Sequence, residues 1–216
     1  MANVTPIDRG ELGSLEKVLA NTEAMMGFVP NSMTTMAHMP QLTMAFSMLG
    51  ATVFGADLQT VMAGYADSVP EDPKAAEALS PDLIQLVAFT VSVASGCRYC
   101  QAHTSHNAHR FGIAEEKLAA VLQAAESDAF TAAEVAAVEL ALAAGRVPNE
   151  AEPHHFEALA PHFSQRQIVQ LVAVIAMFGF LNRWNDTMAT QLEALPRGFA
   201  ESTLGDAGWQ LGKHAP

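Results

Sequence analysis

Apolar residues recur at helical spacing along almost the whole chain. They fall three or four residues apart, and no segment alternates apolar and polar residues as a half-buried strand would. The pattern predicts helices over about 12–27, 40–53, 57–67, 81–95, 97–111, 114–125, 131–144, 152–159 and 164–188. Breakers separate them at Pro30-Asn31, at VPEDP (69–73), at Gly96, at Gly112 and at GRVPNEAEP (145–153). We therefore predict an all-α fold.

Two of the predicted helices have related sequences. QLVAFTVSVASGCRYC, which begins at Gln85, aligns without gaps with QLVAVIAMFGFLNRWN, which begins at Gln170, and this places Cys100 opposite Asn185. We interpret the two stretches as central, pseudo-equivalent helices of two pseudo-repeated helical halves, because segments that are apolar on all sides are usually buried. One domain is predicted over 1–195, and the Gly-rich segment 196–216 is predicted to be a C-terminal arm or tail.

Charge and hydropathy limit the possible partners. The 216 residues carry a formal net charge of −12, which repels nucleic acid and anionic membrane surfaces. The N-terminus lacks the basic-then-apolar pattern of a signal peptide. The longest apolar run, Leu171 to Leu181, is shorter than the roughly 20 residues that cross a bilayer. We expect a cytoplasmic protein with neither a nucleic-acid nor a membrane partner.

Both cysteines of the chain lie in SGCRYCQAHTSH, residues 95–106. Gly96 interrupts the preceding helix, so Cys97 is predicted to open a new one, where unpaired N–H groups and the helix dipole lower the pKa of a thiol. The spacing of three residues brings Cys100 close enough for a disulfide. In a reducing compartment a single CxxC is more often chemical than structural. The pattern therefore predicts a redox dithiol that needs no cofactor.

A metal site is the competing interpretation of the same stretch. Cysteine and histidine recur every three residues, at Cys97, Cys100, His103, His106 and His109. Each step drifts about 60° around a helix, so these side chains spiral apart instead of converging on one ion. No second CxxC completes a zinc site, and Gln101 after Cys100 departs from the CxxCH haem signature. We predict no metal.

The sequence leaves the roles of the two thiols open. His103 lies one turn after Cys100, so a base there would serve Cys100 and leave Cys97 as the resolving thiol. The helix dipole instead favours Cys97 as the thiol of lower pKa.

A family resemblance rests on two stretches. SPDLIQLVAFTVSVASGCRYCQAHTSHNAHRFG, residues 80–112, resembles the signature of the alkylhydroperoxidase AhpD-like, or carboxymuconolactone decarboxylase, superfamily. FSQRQIVQLVAVIAMFGFLNRWND, within about 163–190, resembles the C-terminal helix of its longer, peroxidase-related members. The resemblance implies an AhpD-like multi-helical bundle, a homo-oligomer (dimer, trimer or hexamer) and peroxidase or disulfide oxidoreductase activity without metal or haem. It also implies that Cys100 attacks the peroxide and Cys97 resolves.

The chain departs from the family pattern at two positions. Gln85 stands where the family has a proton-relay glutamate, and Thr104 stands where it has a histidine. A glutamine cannot take up a proton. We therefore predict that the proton relay is rebuilt from His103 and Gln85, with help from Tyr99 or His106.

The first functional hypothesis is a thiol peroxidase or disulfide oxidoreductase that reduces alkyl hydroperoxides and is reset by an external thiol donor. A non-enzymatic redox-sensing oligomer is the second. A cysteine-independent lyase of the decarboxylase type is the third.

Overall fold

The computed structural model describes residues 3–215, which form eleven α-helices joined by turns and short 3-10 segments. The helices are α1 (Glu16–Met26), α2 (Asn31–Met36), α3 (Pro40–Val53), α4 (Leu58–Tyr65), α5 (Pro81–Ala94), α6 (Arg98–Arg110), α7 (Glu115–Ala119), α8 (Ala132–Gly145), α9 (Pro153–Leu159), α10 (Gln165–Met188) and α11 (Ala194–Thr203). No strand occurs among these residues. The predicted all-α class is confirmed.

Most helix boundaries lie within a few residues of the predicted ones. The segment predicted as a helix from 12 begins with a 3-10 turn, Gly13–Leu15, and becomes α-helical only at Glu16. The helix predicted over 114–125 ends at Ala119 and is followed by a 3-10 segment, Val121–Glu126, in which the backbone of Gln123 leaves the helical region (φ −117°, ψ 30°). Helices α2 and α11 were not predicted.

The described residues form two compact units. The N-terminal unit comprises 3–78 and 164–170, and the C-terminal unit comprises 79–163 and 171–215. The core of the N-terminal unit consists of apolar side chains from α1, α2 and the segments beside them: Leu12, Leu15, Val18, Leu19, Met33, Ala37 and Met44. Within this unit the buried Arg166 guanidinium lies 2.6 Å from the Asp72 carboxylate and so joins the short second segment to the first.

Helix α5 is the centre of the C-terminal unit. It packs against α6 and α8, and its apolar positions from Leu86 to Val91 are fully buried. The helix begins with Pro81 in its first turn, where the missing N–H costs nothing. Gly145 at the end of α8 lies directly on α5, since a Cβ there would come within 2.8 Å of the Ala94 Cβ. The absence of a side chain at 145 therefore lets α8 approach the end of α5 that precedes the cysteines.

The C-terminal segment is not a free arm. Helix α11 packs against α6, with Pro196 and Ala200 buried. Beyond it Leu204, Trp209 and His214 are also buried, and the Trp209 indole N–H donates to the Arg98 carbonyl (3.3 Å). The predicted tail is wrong for this reason: a few widely spaced apolar residues anchor a segment whose average composition is Gly-rich and polar.

Helix α10 combines an apolar sequence with an exposed face. Buried side chains alternate along it with exposed large ones, Val172, Met177, Phe180, Trp184 and Met188. It has the length and the mean hydropathy, 1.3, of a membrane span, a criterion that core helices of soluble proteins also meet. The sequence predicted that this helix is buried on all sides, as α5 is. One face of α10 is instead exposed.

A candidate redox site at the start of helix α6

Cys97 caps the N-terminus of α6. Gly96 adopts a left-handed conformation (φ 74°) that ends the preceding helical path, and Cys97 follows with extended backbone (φ −76°, ψ 105°). The Cys97 Sγ accepts a hydrogen bond from the Cys100 backbone N–H at 3.5 Å. Sulfur thus takes the place that a Ser or Asp oxygen usually has at an N-cap. No disulfide joins the two cysteines, and both are almost fully buried.

The two thiols are electrostatically unequal. The Cys100 thiol donates to Cys97, and together with backbone N–H groups this outweighs burial and lowers the pKa of Cys97 to about 7. The same shared proton raises the pKa of Cys100 far above that of an ordinary thiol, and burial adds to the increase. Negative charge on the pair is therefore favoured at Cys97, the sulfur that also accepts the Cys100 backbone N–H, with Cys100 as the thiol that donates to it.

Asn185 contacts Cys100 from helix α10. Its side-chain amide donates to the Cys100 Sγ (3.5 Å) and to the Leu181 carbonyl (3.0 Å). Asn185 is the residue that the gapless alignment places opposite Cys100, so the two aligned positions meet in space.

Two groups from distant parts of the chain lie beside Cys97. The Asp186 carboxylate and the His214 imidazole each place one atom within 4.8 Å of the Cys97 Sγ and of one another. His214 is buried, and its Nδ1 lies 2.8 Å from the Thr190 carbonyl. The other oxygen of Asp186 pairs with Lys213 (2.7 Å).

His103 is turned away from the thiols. Its Nε2 lies 2.7 Å from a Glu193 carboxylate oxygen, and its ring lies against Tyr99, with 4.5 Å between ring centroids. Tyr99 donates to the other Glu193 oxygen (3.2 Å), and burial together with that carboxylate raises the pKa of Tyr99 to about 12. Within residues 3–215 no hydrogen bond joins His103 to either sulfur. The predicted pairing of His103 with Cys100 is therefore absent, because Glu193, a residue outside the motif, takes the imidazole.

The other predicted relay residues lie apart from the sulfurs. Gln85 is half-buried on α5, about three turns before Cys97, and no hydrogen bond to either thiol is seen in the described chain. His106 packs edge-on against Phe199 (5.6 Å between centroids), and burial and the nearby Arg110 charge lower its pKa. The relay of Gln85, His103, Tyr99 and His106 is thus not assembled at the thiols.

A cavity of about 690 Å³ lies next to the site. Its walls are mostly apolar and come from the end of α5, from α8 and the loop after it, from α9 and from α10, with Leu140, Phe156 and Ile175 among them. Its polar lining includes Arg146, Asn182 and Asp186. Neither cysteine lines the cavity, and Asp186, the carboxylate beside Cys97, is the residue that connects it to the thiols. The volume is within the range of small-molecule sites.

Sequence reasoning missed Asp186, Glu193 and His214. Asp186 carried one usable signal, since it directly follows the residue aligned with Cys100. Glu193 and His214 carried none, because each lies in a segment whose path only the tertiary structure shows.

The fold and the site define the class: an all-α protein with two free thiols at the N-terminus of one helix. Comparisons with known proteins identify the family. The family model for carboxymuconolactone decarboxylase matches residues 57–143. The crystal structure of the debrominase Bmp8 (apo) is 33% identical, with a TM-score of 0.53 over 90% of this chain and 94% of that one. A cysteine-to-alanine variant of Bmp8 in complex with 2,3,4-tribromopyrrole is 32% identical, with a TM-score of 0.55 over 95% and 97%. No curated protein matches.

The chain belongs to the carboxymuconolactone decarboxylase family, as its motifs predicted. Its relatives with this fold are enzymes, as the names of the decarboxylase family and of the debrominase state.

The unequal thiols lead to a direct prediction. In reduced, metal-free protein, the ultraviolet absorbance of thiolate should rise with one midpoint near pH 7, from Cys97 alone. Cys100→Ala should move this midpoint upward, because it removes the S–H donor, and Cys100→Ser should move it less, because a hydroxyl still donates. An unchanged midpoint in Cys100→Ala would show that the dithiol contact does not set the pKa.

Proposed function

We propose that the protein is a thiol-dependent oxidoreductase that removes halogen from a small aromatic substrate, with Cys97 as nucleophile and Cys100 as resolving thiol. The observation that supports this proposal most directly is the pair of free thiols in a chain 33% identical to a debrominase. Cys97 is the N-cap of α6, and its sulfur accepts a hydrogen bond from the Cys100 backbone N–H. This order of attack reverses the one that the superfamily resemblance implies.

The dithiol supplies the two electrons that replacement of bromine by hydrogen requires. The Cys97 thiolate takes bromine from carbon, the carbon takes a proton from solvent, and a sulfenyl bromide remains on Cys97. The Cys100 thiol then attacks that sulfur, expels bromide and loses its proton, and a disulfide forms. The sum converts a C–Br bond and a dithiol into a C–H bond, a disulfide and bromide. An external thiol reduces the disulfide for the next turnover.

The surroundings of Cys97 support this chemistry. Burial removes water from the sulfur, and the short spacing to Cys100 favours disulfide formation over release of an oxidised sulfur. The cavity that reaches Asp186 beside Cys97 offers apolar walls for a planar ring, with Asn182 and Arg183 among its polar groups.

A hydroperoxide is the second candidate substrate. The lowered pKa of Cys97 supports it, because peroxides also react with thiolates. Cys97 would cleave the O–O bond to give an alcohol and a sulfenic acid, and Cys100 would condense with it to a disulfide and water. The carboxyl relay of the peroxidases is not rebuilt here, since Gln85 and His103 do not contact the thiols.

The test measures both reactions on the reduced full-length protein. We expect bromide release from 2,3,4-tribromopyrrole in the presence of dithiothreitol, with a pyrrole that has lost one bromine as product. Consumption of cumene hydroperoxide under the same conditions, without bromide release, would replace the first candidate by the second. Bromide release that Cys97→Ser leaves intact would overturn both.

His103→Asn separates the two assignments of the attacking thiol. We expect this variant to retain most bromide release, because His103 pairs with Glu193 and not with a sulfur. A loss comparable to that of Cys97→Ser would restore His103 as the activating base. Absence of either turnover, together with a solution mass that depends on dithiothreitol, would indicate the redox-sensing oligomer.

We also propose that the protein is a homo-oligomer. Phe180 and Trp184 stack on the exposed face of α10, with 6.2 Å between ring centroids, and Met177 and Met188 extend the apolar surface. A surface of this kind usually marks a protein contact. Light scattering should give a mass greater than that of one chain, and a monomeric mass would contradict the proposal.

A further inference from the structure

Cys97, Asp186 and His214 bring three different metal-ligating atoms together. The sulfur is at the N-terminus of α6, the carboxylate is near the end of α10, and the imidazole is in the final 3-10 turn, Gly212–His214. The sulfur, one carboxylate oxygen and one ring nitrogen all lie within 4.8 Å of one another. The spiral that argued against a metal on α6 alone does not apply, because only one ligand comes from that helix.

The His214 ring is held in the tautomer that a metal ligand needs. Its Nδ1 lies 2.8 Å from the Thr190 carbonyl, and since a carbonyl only accepts, Nδ1 carries a proton and Nε2 is the ring nitrogen that can offer a lone pair to a metal ion. A backbone carbonyl behind one ring nitrogen is the usual support of a metal-binding histidine.

The lone pair of Nε2 has no protein partner. His214 is 1% exposed, and in the part of the chain that the structure describes Nε2 is buried without a hydrogen bond. The Asp186 Oδ1, which is itself an acceptor, lies 3.7 Å from it. A buried acceptor without a donor is costly, and here it faces a carboxylate and a sulfur that both also attract a cation.

The mixture of atoms selects the kind of cation. A thiolate, an imidazole and a carboxylate together suit Zn²⁺, whereas Mg²⁺ and Ca²⁺ prefer sites made of oxygen alone. In a tetrahedral zinc site with bonds of about 2.0–2.3 Å, neighbouring ligand atoms are roughly 3.3–3.6 Å apart. The 3.7 Å between Asp186 and His214 is close to this spacing. The three side chains leave the fourth position of a tetrahedral ion to solvent or an added ligand.

We propose that Cys97, Asp186 and His214 form a binding site for Zn²⁺ that holds the reduced enzyme in an inactive, protected form. Zinc binding itself does not depend on the substrate, while the inhibition rests on the proposed function of Cys97. A sulfur that donates its electron pair to zinc is shielded from oxidants and from substrate, and it regains its reactivity when the metal leaves.

Cobalt binding to the reduced, metal-free full-length protein tests the site without any substrate. We expect one Co²⁺ per chain, with a thiolate-to-metal charge-transfer band and the visible bands of a tetrahedral ion, and displacement of cobalt by Zn²⁺. Asp186→Asn and His214→Gln should each weaken binding at least about tenfold, and Cys97→Ser should remove the charge-transfer band. His109→Asn, a histidine of α6 outside the cluster, is the matched control and should bind as the wild type does.

Three results would overturn the proposal. One is no binding at micromolar cobalt, and another is binding without a thiolate band. The third is a thiolate band that Asp186→Asn and His214→Gln both leave unchanged, since the CxxC thiols alone would then hold the ion. Asp186 is half-exposed, so its variant keeps the test valid if His214→Gln fails to fold. Failure of the bromide assay with intact cobalt binding would affect only the proposed reaction.

Discussion

Cys97→Ser should abolish bromide release, with a loss on the order of a thousandfold or more, because the variant has no sulfur in the position of the thiolate. Cys100→Ser should behave differently. It retains Cys97 and a hydroxyl in place of the donor thiol, so the first step should proceed and the sulfenyl bromide should lack its resolving partner. Rapid quenching of a single turnover should therefore show at most one pyrrole that has lost a bromine per Cys100→Ser chain, with the bromine left on the Cys97 sulfur, and no such product for Cys97→Ser.

Thr104→Ser is a matched control for these two variants. Thr104 lies on the same helix and its hydroxyl donates to the Cys100 carbonyl at 2.6 Å, a bond that serine keeps. This variant should turn over like the wild type. If Cys100→Ser abolished the first turnover and Cys97→Ser preserved it, the attacking thiol would be Cys100, as the superfamily resemblance implies.

Arg166→Met should destabilise the N-terminal unit by about 3–5 kcal/mol, which is the typical cost of leaving one member of a buried ion pair alone. The Arg166 and Asp72 side chains are only 5% and 10% exposed, and a second guanidinium nitrogen also contacts Asp72. Without the arginine, the Asp72 carboxylate remains buried with no compensating charge. Denaturant unfolding monitored by circular dichroism measures the loss.

Arg197→Met is the control, because it breaks an exposed pair with Glu201 on α11. An exposed pair one helical turn apart contributes only about 0.3–0.5 kcal/mol, so this variant should unfold almost like the wild type. Equal losses in the two variants would show that burial does not strengthen the Arg166–Asp72 pair.

The same pair predicts a dependence of stability on pH. Arg166 lowers the pKa of Asp72 below that of the unfolded chain, so the folded state binds the Asp72 proton less readily. The stabilisation is present at pH values above the unfolded pKa and is lost as pH falls through the folded pKa. In Arg166→Met this part of the acid sensitivity should disappear.

The sequence determined the secondary structure and the chemistry of the motif. Helical periodicity and breakers located most helices to within a few residues, because both signals are local. Gly96 before Cys97 predicted a thiol at a helix N-terminus, and the structure has Cys97 as the N-cap of α6. The family followed from the same residues.

Only the tertiary structure decided which groups surround the thiols. The spacing of His103 allowed a contact with Cys100, yet Glu193, ninety residues away, holds the imidazole instead. His214 lies in a segment whose composition indicated a tail, and it is buried beside Cys97 because Trp209 and α11 fix that segment on α6. Hydrophobic patterning predicts which residues face the core. It does not predict which residues, distant in sequence, contact them in the folded protein. The thiols of this site were readable from the sequence, while their acidic and imidazole neighbours depend on the path that the folded chain takes.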